Sequence, residues 1–372
     1  GFTVDVLCGE PKEYYSGPKV SKEETVDGIS IRRLSYLQPD RSHILGRLVN
    51  YFSFTAAVFA HLGSLRNYRC ALVYSNPPVL PWIVSWAKKL FGCRLVFVSY
   101  DLYPELALRT GALKPHGAVD RLMKHINRVV YPRLDRVVAL SSEMKAFLEA
   151  NRDVSPEKIA VIPNWYPDTG AQTRDKSDNR FAAELGDKFV VSYFGNMGTI
   201  QDMQTILDAI RAMKEEKDIF FLFAGHGNKL EALKEAIAKE QLSNARVLDY
   251  LHGKDYQDAL DISGAALISL EQGTTGLCVP SKTYSYMMEG IPLLAIMDEC
   301  DIVSDIRAGA GMALQNGQSE ALAQKIRFLR DHPEAVEAMR SCCRQLYLEK
   351  YTPEICLAKY QALFRELLGT PE

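Results

Sequence analysis

Two stretches, "FVVSYFG" at residues 189–195 and "IFFLFAG" at 219–225, decide the fold. Each is an almost unbroken apolar run closed by a glycine. A polar loop and a helical pattern follow each one, near 203–214 and near 229–238. Apolar runs without alternation suit strands covered on both faces, as in a parallel sheet with crossover helices. The pattern continues outward. "RVLDYL" precedes a helical stretch at 255–262, "ALISL" precedes one at 281–289, and "LLAI" follows. Helical periodicity at 319–329, 333–348 and 353–368 ends the chain.

The first half has the same rhythm. Strand candidates lie at 3–8, 29–34, 71–75, 94–99, 136–140 and 159–162, with helical patterns at 45–65, 81–90, 118–131 and 142–150. Strands alternating with helices predict parallel sheets. The polar stretch "PDTGAQTRDKSDNR", 167–180, reads as a linker. The expected architecture is therefore α/β, with two Rossmann-like domains at 1–167 and 168–352. In such sheets ligands sit beyond the carboxyl ends of the strands, so an interdomain cleft is the expected site. The sequence opens directly on a strand pattern, "GFTVDVLCGE", and we expect a first strand and helix to precede it.

Composition narrows the function. The 372 residues suit two domains, and 47% apolar with 24% charged residues is typical of a globular protein. A net charge of −2 argues against nucleic acid as a partner of the whole molecule. The eight cysteines are scattered without C-x-x-C spacing, which predicts reduced thiols in a cytoplasmic protein rather than disulfides or a zinc site. No apolar run is long enough to span a membrane.

Several loops carry candidate chemistry. Gly195, Asn196 and Gly198 follow one strand, and Gly225 and His226 follow the next. Glycines there permit positive φ or close approach of a ligand; the alternative is a tight turn. In "VPSKTYSYMMEGIP", Pro280 and Ser281 can open a helix. A helix N-terminus presents free N–H groups and partial positive charge, which suits a phosphate. Lys282 would add a full charge, and Thr275 and Gly276 lie in the flexible loop before it. The alternative is a capped helix with a solvated lysine. In "VSYDLYPEL", Asp101 and Glu105 lie just past a strand and could orient a hydroxyl or take a proton. The alternative for Asp101 is a helix cap. No Asp-x-Asp, Walker loop or Gly-x-Ser-x-Gly elbow is present, so no metal is expected.

In this order, "DLYPE", "IPNWYPD", "YFGNMGT", "FAGHGN" and "VPSKTYSYMMEGIP" resemble the family 4 glycosyltransferases of GT-B fold, over essentially the whole chain. The group resembled is bacterial and assembles surface polysaccharides such as capsule and O-antigen, with fucosyl- and N-acetylfucosaminyl-transferase-like members. The resemblance implies retaining, metal-independent transfer of a hexosyl or N-acetylhexosaminyl group. The donor would be a UDP- or GDP-linked sugar and the acceptor a saccharide, expected to be lipid-linked. No cofactor is implied. The second domain would bind the donor through Gly195, Asn196, Gly198, Gly225, His226, Thr275, Gly276, Ser281, Lys282, Thr283 and Ser285. Asp101, Glu105 and Lys282 would be the catalytic group, and the helix at 353–368 would return to the first domain.

The sequence departs from the family in two places. Many members have a Glu-x7-Glu pair around this helix; here Leu277 and Ser285 hold the two positions. Many also carry Arg and Lys after the Gly195-type loop, where Asn196 and Gln201 or Asp202 occupy the region in this chain. More of the phosphate charge then falls to Lys282. A sugar-nucleotide epimerase of the same architecture, or an inactive nucleotide-sugar-binding subunit, are the alternatives. The apolar stretch 41–69 has basic flanks, and Lys88, Lys89, Arg94, Lys114, Arg121, Lys124, Arg128 and Arg133 lie in the same domain. Together they suit peripheral docking at the inner face of an anionic membrane; the alternative is a core helix with solvated ends.

Overall fold

The computed structural model describes residues 2–11, 20–39, 44–170 and 178–369, with the backbone alone at Ile44 and Arg47. The chain divides into two compact units. One comprises Gly1–Leu140, Lys145–Val161 and Tyr360–Glu372; the other comprises Ser141–Met144 and Ile162–Lys359. The chain enters the second unit at Ile162, and the helix Pro353–Leu368 rejoins the first from Tyr360 onward. Within the first unit, Phe364 of this helix packs on Phe2, and Glu366 pairs with Arg136. The expected linker 167–180 lies partly outside the described residues. Its end is ordered: Asn179 caps a short helix, Arg180–Leu185, by accepting from the N–H groups of Phe181 and Ala182.

The first unit holds seven strands: β1 (Asp5–Gly9), β2 (Glu23–Val26), β3 (Ile29–Leu34), β4 (Cys70–Tyr74), β5 (Arg94–Ser99), β6 (Arg136–Ala139) and β7 (Ile159–Val161). They form two sheets instead of one, ordered β1-β3-β2 and β4-β5-β6-β7. The second is fully parallel. Strand β2 was not expected, and it pairs antiparallel with β3. Its signal is the Asp27-Gly28 pair, whose φ values of 51° and 80° make the two-residue hairpin turn that Asp-Gly favours.

The second unit contains one parallel sheet of β8 (Phe189–Asn196), β9 (Ile219–His226), β10 (Ala245–Leu248), β11 (Ser263–Ser269), β12 (Leu293–Ile296) and β13 (Gly311–Leu314), in the order β10-β9-β8-β11-β12-β13. One face of the sheet, through Val191, Tyr193, Phe221, Phe223, Ala265 and Leu267, packs against apolar residues of the helices Gln204–Ala212 and Ser319–Asp331. The chain moves outward one way from β8 and the other way from β11. The crevice beyond these two strand ends is the switch point where doubly wound sheets take ligands.

Candidate active site

Lys282 reaches the switch point from the first position of the helix Lys282–Glu289. The helix is fixed at both ends. Gly290 closes it in the left-handed conformation at φ 71°, which spares the steric cost a side chain would bring. Tyr286 anchors its body to β8: the Phe194 N–H donates to the Tyr286 hydroxyl at 2.6 Å. Ser281 stands at the cap position but makes no capping bond and is exposed, so it does not cap as expected. Two of the helix's first N–H groups are already engaged, since Thr283 and Tyr284 donate to the Pro280 and Ser281 carbonyls at 3.1 and 3.3 Å, but the helix end still carries the positive end of the dipole.

The lysine lies along the end of β8. Its Nζ sits 3.3 Å from the centre of the buried Tyr193 ring and donates to the Asn196 carbonyl at 3.4 Å. A Cβ on Gly195 would come within 3.6 Å of the Lys282 Cε, and Gly195 has φ +120°. The contact with the lysine stem would be an ordinary one, so it is the φ of +120° that favours glycine here. Among the described residues no carboxylate pairs with Lys282, and desolvation alone holds its ammonium well below the ordinary lysine range. An ammonium withdrawn from water without a counter-charge is costly, and an anion beside it removes that cost. Thr283, next on the helix, and Thr275, in the loop before it, have buried hydroxyls that make no hydrogen bond among the described residues. Buried hydroxyls without partners are uncommon, and both can donate to phosphate oxygens.

Other expected donor residues have internal roles. The Gly198 N–H donates to the Gln201 side chain at 2.8 Å, so it is turned away from any ligand. A Cβ on Gly225 would lie 2.0 Å from the Gly195 carbonyl oxygen. Gly225 therefore serves the close approach of β8 and β9, and supports the site from behind. His226 lies against Tyr250 with ring centres 5.7 Å apart, and its carbonyl accepts from the Met197 N–H. Ser285 is buried; its hydroxyl donates to the Lys282 carbonyl at 2.9 Å and accepts from Tyr256 at 3.4 Å. It is thus engaged within the unit, where the resemblance places a ribose-gripping glutamate. Asn196 is exposed, and Gly276 takes φ +80° in the loop before the helix. Tyr193 was missed at the sequence level, because inside an apolar strand it reads only as core.

In the first unit, Asp101 follows β5. Ser75, just past β4, accepts from the N–H groups of Tyr100 and Asp101 at 3.1 and 3.2 Å and pins this turn. The Asp101 carboxyl has no hydrogen-bond partner among the described residues, and burial pushes its pKa up to about 6. It can therefore gain or lose a proton near neutrality. Glu105 does not join it. Both Glu105 oxygens accept from Arg152, at 3.1 and 2.6 Å, and the guanidinium also lies over the Tyr131 ring. A carboxylate held on both oxygens is a poor base, so Glu105 is a structural residue of the first unit. Among the described residues, no three His, Cys, Asp or Glu side chains come together as a metal site requires.

The two halves of the chain match separate family profiles. Residues 1–165 match the glycosyl transferase 4-like domain, and residues 188–332 match the glycosyl transferases group 1. A Pseudomonas aeruginosa protein, WbjE, named as a probable glycosyltransferase, is 28% identical over 85% of this chain and 80% of its own. WcaI of Escherichia coli, a glycosyl transferase named for colanic acid biosynthesis, is 23% identical over 94% of this chain and 85% of its own. HepE of Anabaena, solved in complex with UDP-glucose, superposes with a TM-score of 0.67 at 16% identity, covering 92% of this chain and 87% of that one. Matched in order along both halves, and with α/β units like those of the structures it superposes on, the chain is a glycosyltransferase of GT-B fold that pairs a transferase 4-like domain with a group 1 domain.

Proposed function

We propose that the protein transfers a sugar from a nucleoside-diphosphate donor to a saccharide acceptor in bacterial polysaccharide synthesis, with retention and without a metal ion. The observation that carries this reading is Lys282, a desolvated lysine at the mouth of a helix that no carboxylate pairs with among the described residues. Negative charge grows on the leaving diphosphate as the glycosidic bond breaks. We take Lys282 and the helix end as the groups that stabilise it, with the unpartnered Thr275 and Thr283 hydroxyls as further donors. One such preorganised donor is worth roughly 3 kcal/mol in the transition state. A leaving phosphate oxygen then takes the proton of the attacking hydroxyl on the same face, which gives retention. Asp101 orients the acceptor. The UDP-glucose complex of HepE and the colanic acid role named for WcaI support a UDP-linked donor and a polysaccharide product.

A thermal-shift screen against UDP, GDP, ADP, CMP and dTDP tests the donor site. One diphosphate at a hundredfold excess over Kd is expected to add about 2.7 kcal/mol of stability. No shift with any of them would overturn the reading. One observation favours a second reading, an inactive nucleotide-sugar-binding subunit: Ser285 stands where relatives grip ribose with a glutamate, and it is already engaged. Binding of a nucleotide-sugar without turnover, across a panel of acceptors, would select it.

The acceptor is proposed to be lipid-linked, with docking on an anionic membrane. No helix among the described residues is long and apolar enough to cross a membrane. The helix Ile44–Ala60 exposes Leu45, Val49, Phe52 and Phe59 along one stripe, and the helix Ala118–Val130 exposes Val119 and Leu122 beside Arg121 and Arg128. The expected cationic surface is smaller than the sequence suggests. Lys88 and Arg94 pair with Asp135, and Lys124 pairs with Asp120. Residues 41–43, at the start of the expected docking stretch, lie outside the described residues. Flotation with anionic vesicles that showed no salt-sensitive binding would remove this element of the proposal.

A further inference from the structure

Tyr193 is fully buried in β8, in register with Phe223 of β9, and the two rings lie 6.1 Å apart. A tyrosine inside a sheet usually serves the core and finds one partner for its hydroxyl. Here both the ring and the hydroxyl lead to Lys282. The ring centre lies 3.3 Å from the Lys282 Nζ. The hydroxyl donates at 3.1 Å to the Asn196 carbonyl, the same oxygen that accepts from the Lys282 Nζ at 3.4 Å. Burial pushes the phenol above the ordinary tyrosine range, so the hydroxyl keeps the proton it donates. One residue thus supplies the face on which the ammonium rests and fixes the carbonyl beside it.

A second lysine of the same unit shows the alternative arrangement. The Lys229 Nζ donates to the Gln201 carbonyl and to a Glu271 carboxylate oxygen, both at 2.6 Å. That charge is closed by an opposite one, and an incoming anion would compete with Glu271. Lys282 also has a backbone carbonyl, but a ring stands where Lys229 has its carboxylate. A ring face attracts a cation without carrying a net charge. It holds the ammonium without neutralising it. An ammonium has three donors, so a single carbonyl and a ring face leave room for a ligand oxygen.

We propose that Tyr193 is a positioning residue for the leaving diphosphate: its ring, and the carbonyl it fixes, hold the Lys282 ammonium ready for a phosphate oxygen while leaving the charge unpaired. The proposal rests on the donor reading of Lys282. Tyr193 touches no substrate and acts only through the lysine.

Isothermal titration calorimetry with UDP, GDP, ADP and dTDP tests it on the wild type, Tyr193→Phe, Tyr193→Leu, Lys282→Met and the Tyr193→Leu, Lys282→Met double variant. The diphosphate that binds the wild type should bind Tyr193→Leu roughly 5- to 30-fold more weakly, the worth of a desolvated cation–π contact. Tyr193→Phe keeps the ring and should retain most of the affinity. On the Lys282→Met background, Tyr193→Leu should weaken binding no further, because the group it acts through is gone. A merely structural tyrosine would weaken binding on both backgrounds. Unchanged affinity in Tyr193→Leu, or an undiminished loss on the Lys282→Met background, would overturn the proposal. A second measurement covers a leucine variant that does not fold. In the ligand-free wild type the ring current should move the Lys282 Hε protons upfield, and the shift should survive in Tyr193→Phe. Unshifted Hε protons would overturn the placement. Failure of the donor reading is distinguishable, since no diphosphate would then bind a wild type that shows the upfield shift, and the role of Tyr193 in binding would fall with it.

Discussion

Replacing Lys282 with methionine separates a ligand-binding lysine from a structural one, because the two roles give opposite signs. Methionine keeps most of the stem and removes the charge. In the free protein the ammonium has two compensations, the Tyr193 ring at 3.3 Å and one long hydrogen bond to the Asn196 carbonyl. The cation–π contact is worth about 1–2 kcal/mol at a desolvated site. Taking an unpaired ion out of water costs several kcal/mol, so the net effect of removing the charge is expected to be neutral to about 2 kcal/mol stabilising. For a unit of this size that is a rise in Tm of roughly 0–8 °C. Ligand binding moves the other way. A charge-assisted contact to phosphate contributes about 2–3 kcal/mol, so Kd should weaken by roughly 30- to 150-fold. At a ligand concentration giving the wild type about 2.7 kcal/mol of added stability, a hundredfold weaker variant retains about 0.4 kcal/mol. Differential scanning fluorimetry with and without the diphosphate reads both quantities. A free variant that melts more than about 5 °C lower while keeping the full ligand shift would refute the argument.

Three further outcomes follow from named contacts. Asp101, with its pKa raised to about 6, binds its proton more tightly in the folded protein than in the unfolded chain. Its contribution is therefore present below about pH 4 and lost as pH rises to about 6; Asp101→Asn should remove that slope and gain about 1–2 kcal/mol at pH 7, discounted for partial exposure. Denaturant titrations at pH 4, 5, 6 and 7 check it, and an identical pH profile in wild type and variant would contradict it. Glu105→Gln should lose about 3 kcal/mol of stability, because it leaves the buried Arg152 guanidinium unpaired, while the diphosphate shift remains. An unchanged melting temperature would return Glu105 to consideration as a catalytic group. Gly225→Ala should lose more than about 3 kcal/mol, since its Cβ would overlap the Gly195 carbonyl; circular dichroism melts measure this, and a stable variant with weakened nucleotide binding would make Gly225 a ligand contact instead.

Strand and helix alternation was legible because it rests on local periodicity. The runs at 189–195 and 219–225 are β8 and β9, and the helix after Pro280 begins within one residue of its expected start. The β2–β3 hairpin was legible too, in "VDGI", but a short polar strand such as Glu23–Val26 carries no apolar period to draw attention to it. The split of the first unit into two sheets was invisible, because strand pairing depends on which edges meet in space.

The sequence by itself determined the α/β class, the parallel strands of the second unit and the position of Lys282 at a helix mouth. Each of these follows from spacing along the chain: apolar period, glycine at strand ends, proline at a helix start. Only the tertiary structure decided which of the polar residues are free to act. Folding brings Arg152 onto Glu105, turns the Gly198 N–H onto Gln201 and binds Ser285 to Tyr256, while it sets Lys282 over Tyr193 with no carboxylate among the described residues to neutralise it. Tyr193 and Lys282 belong to different elements, and Glu105 and Arg152 lie 47 residues apart. Whether a charge meets its opposite is settled by how those elements pack, and no local pattern encodes that.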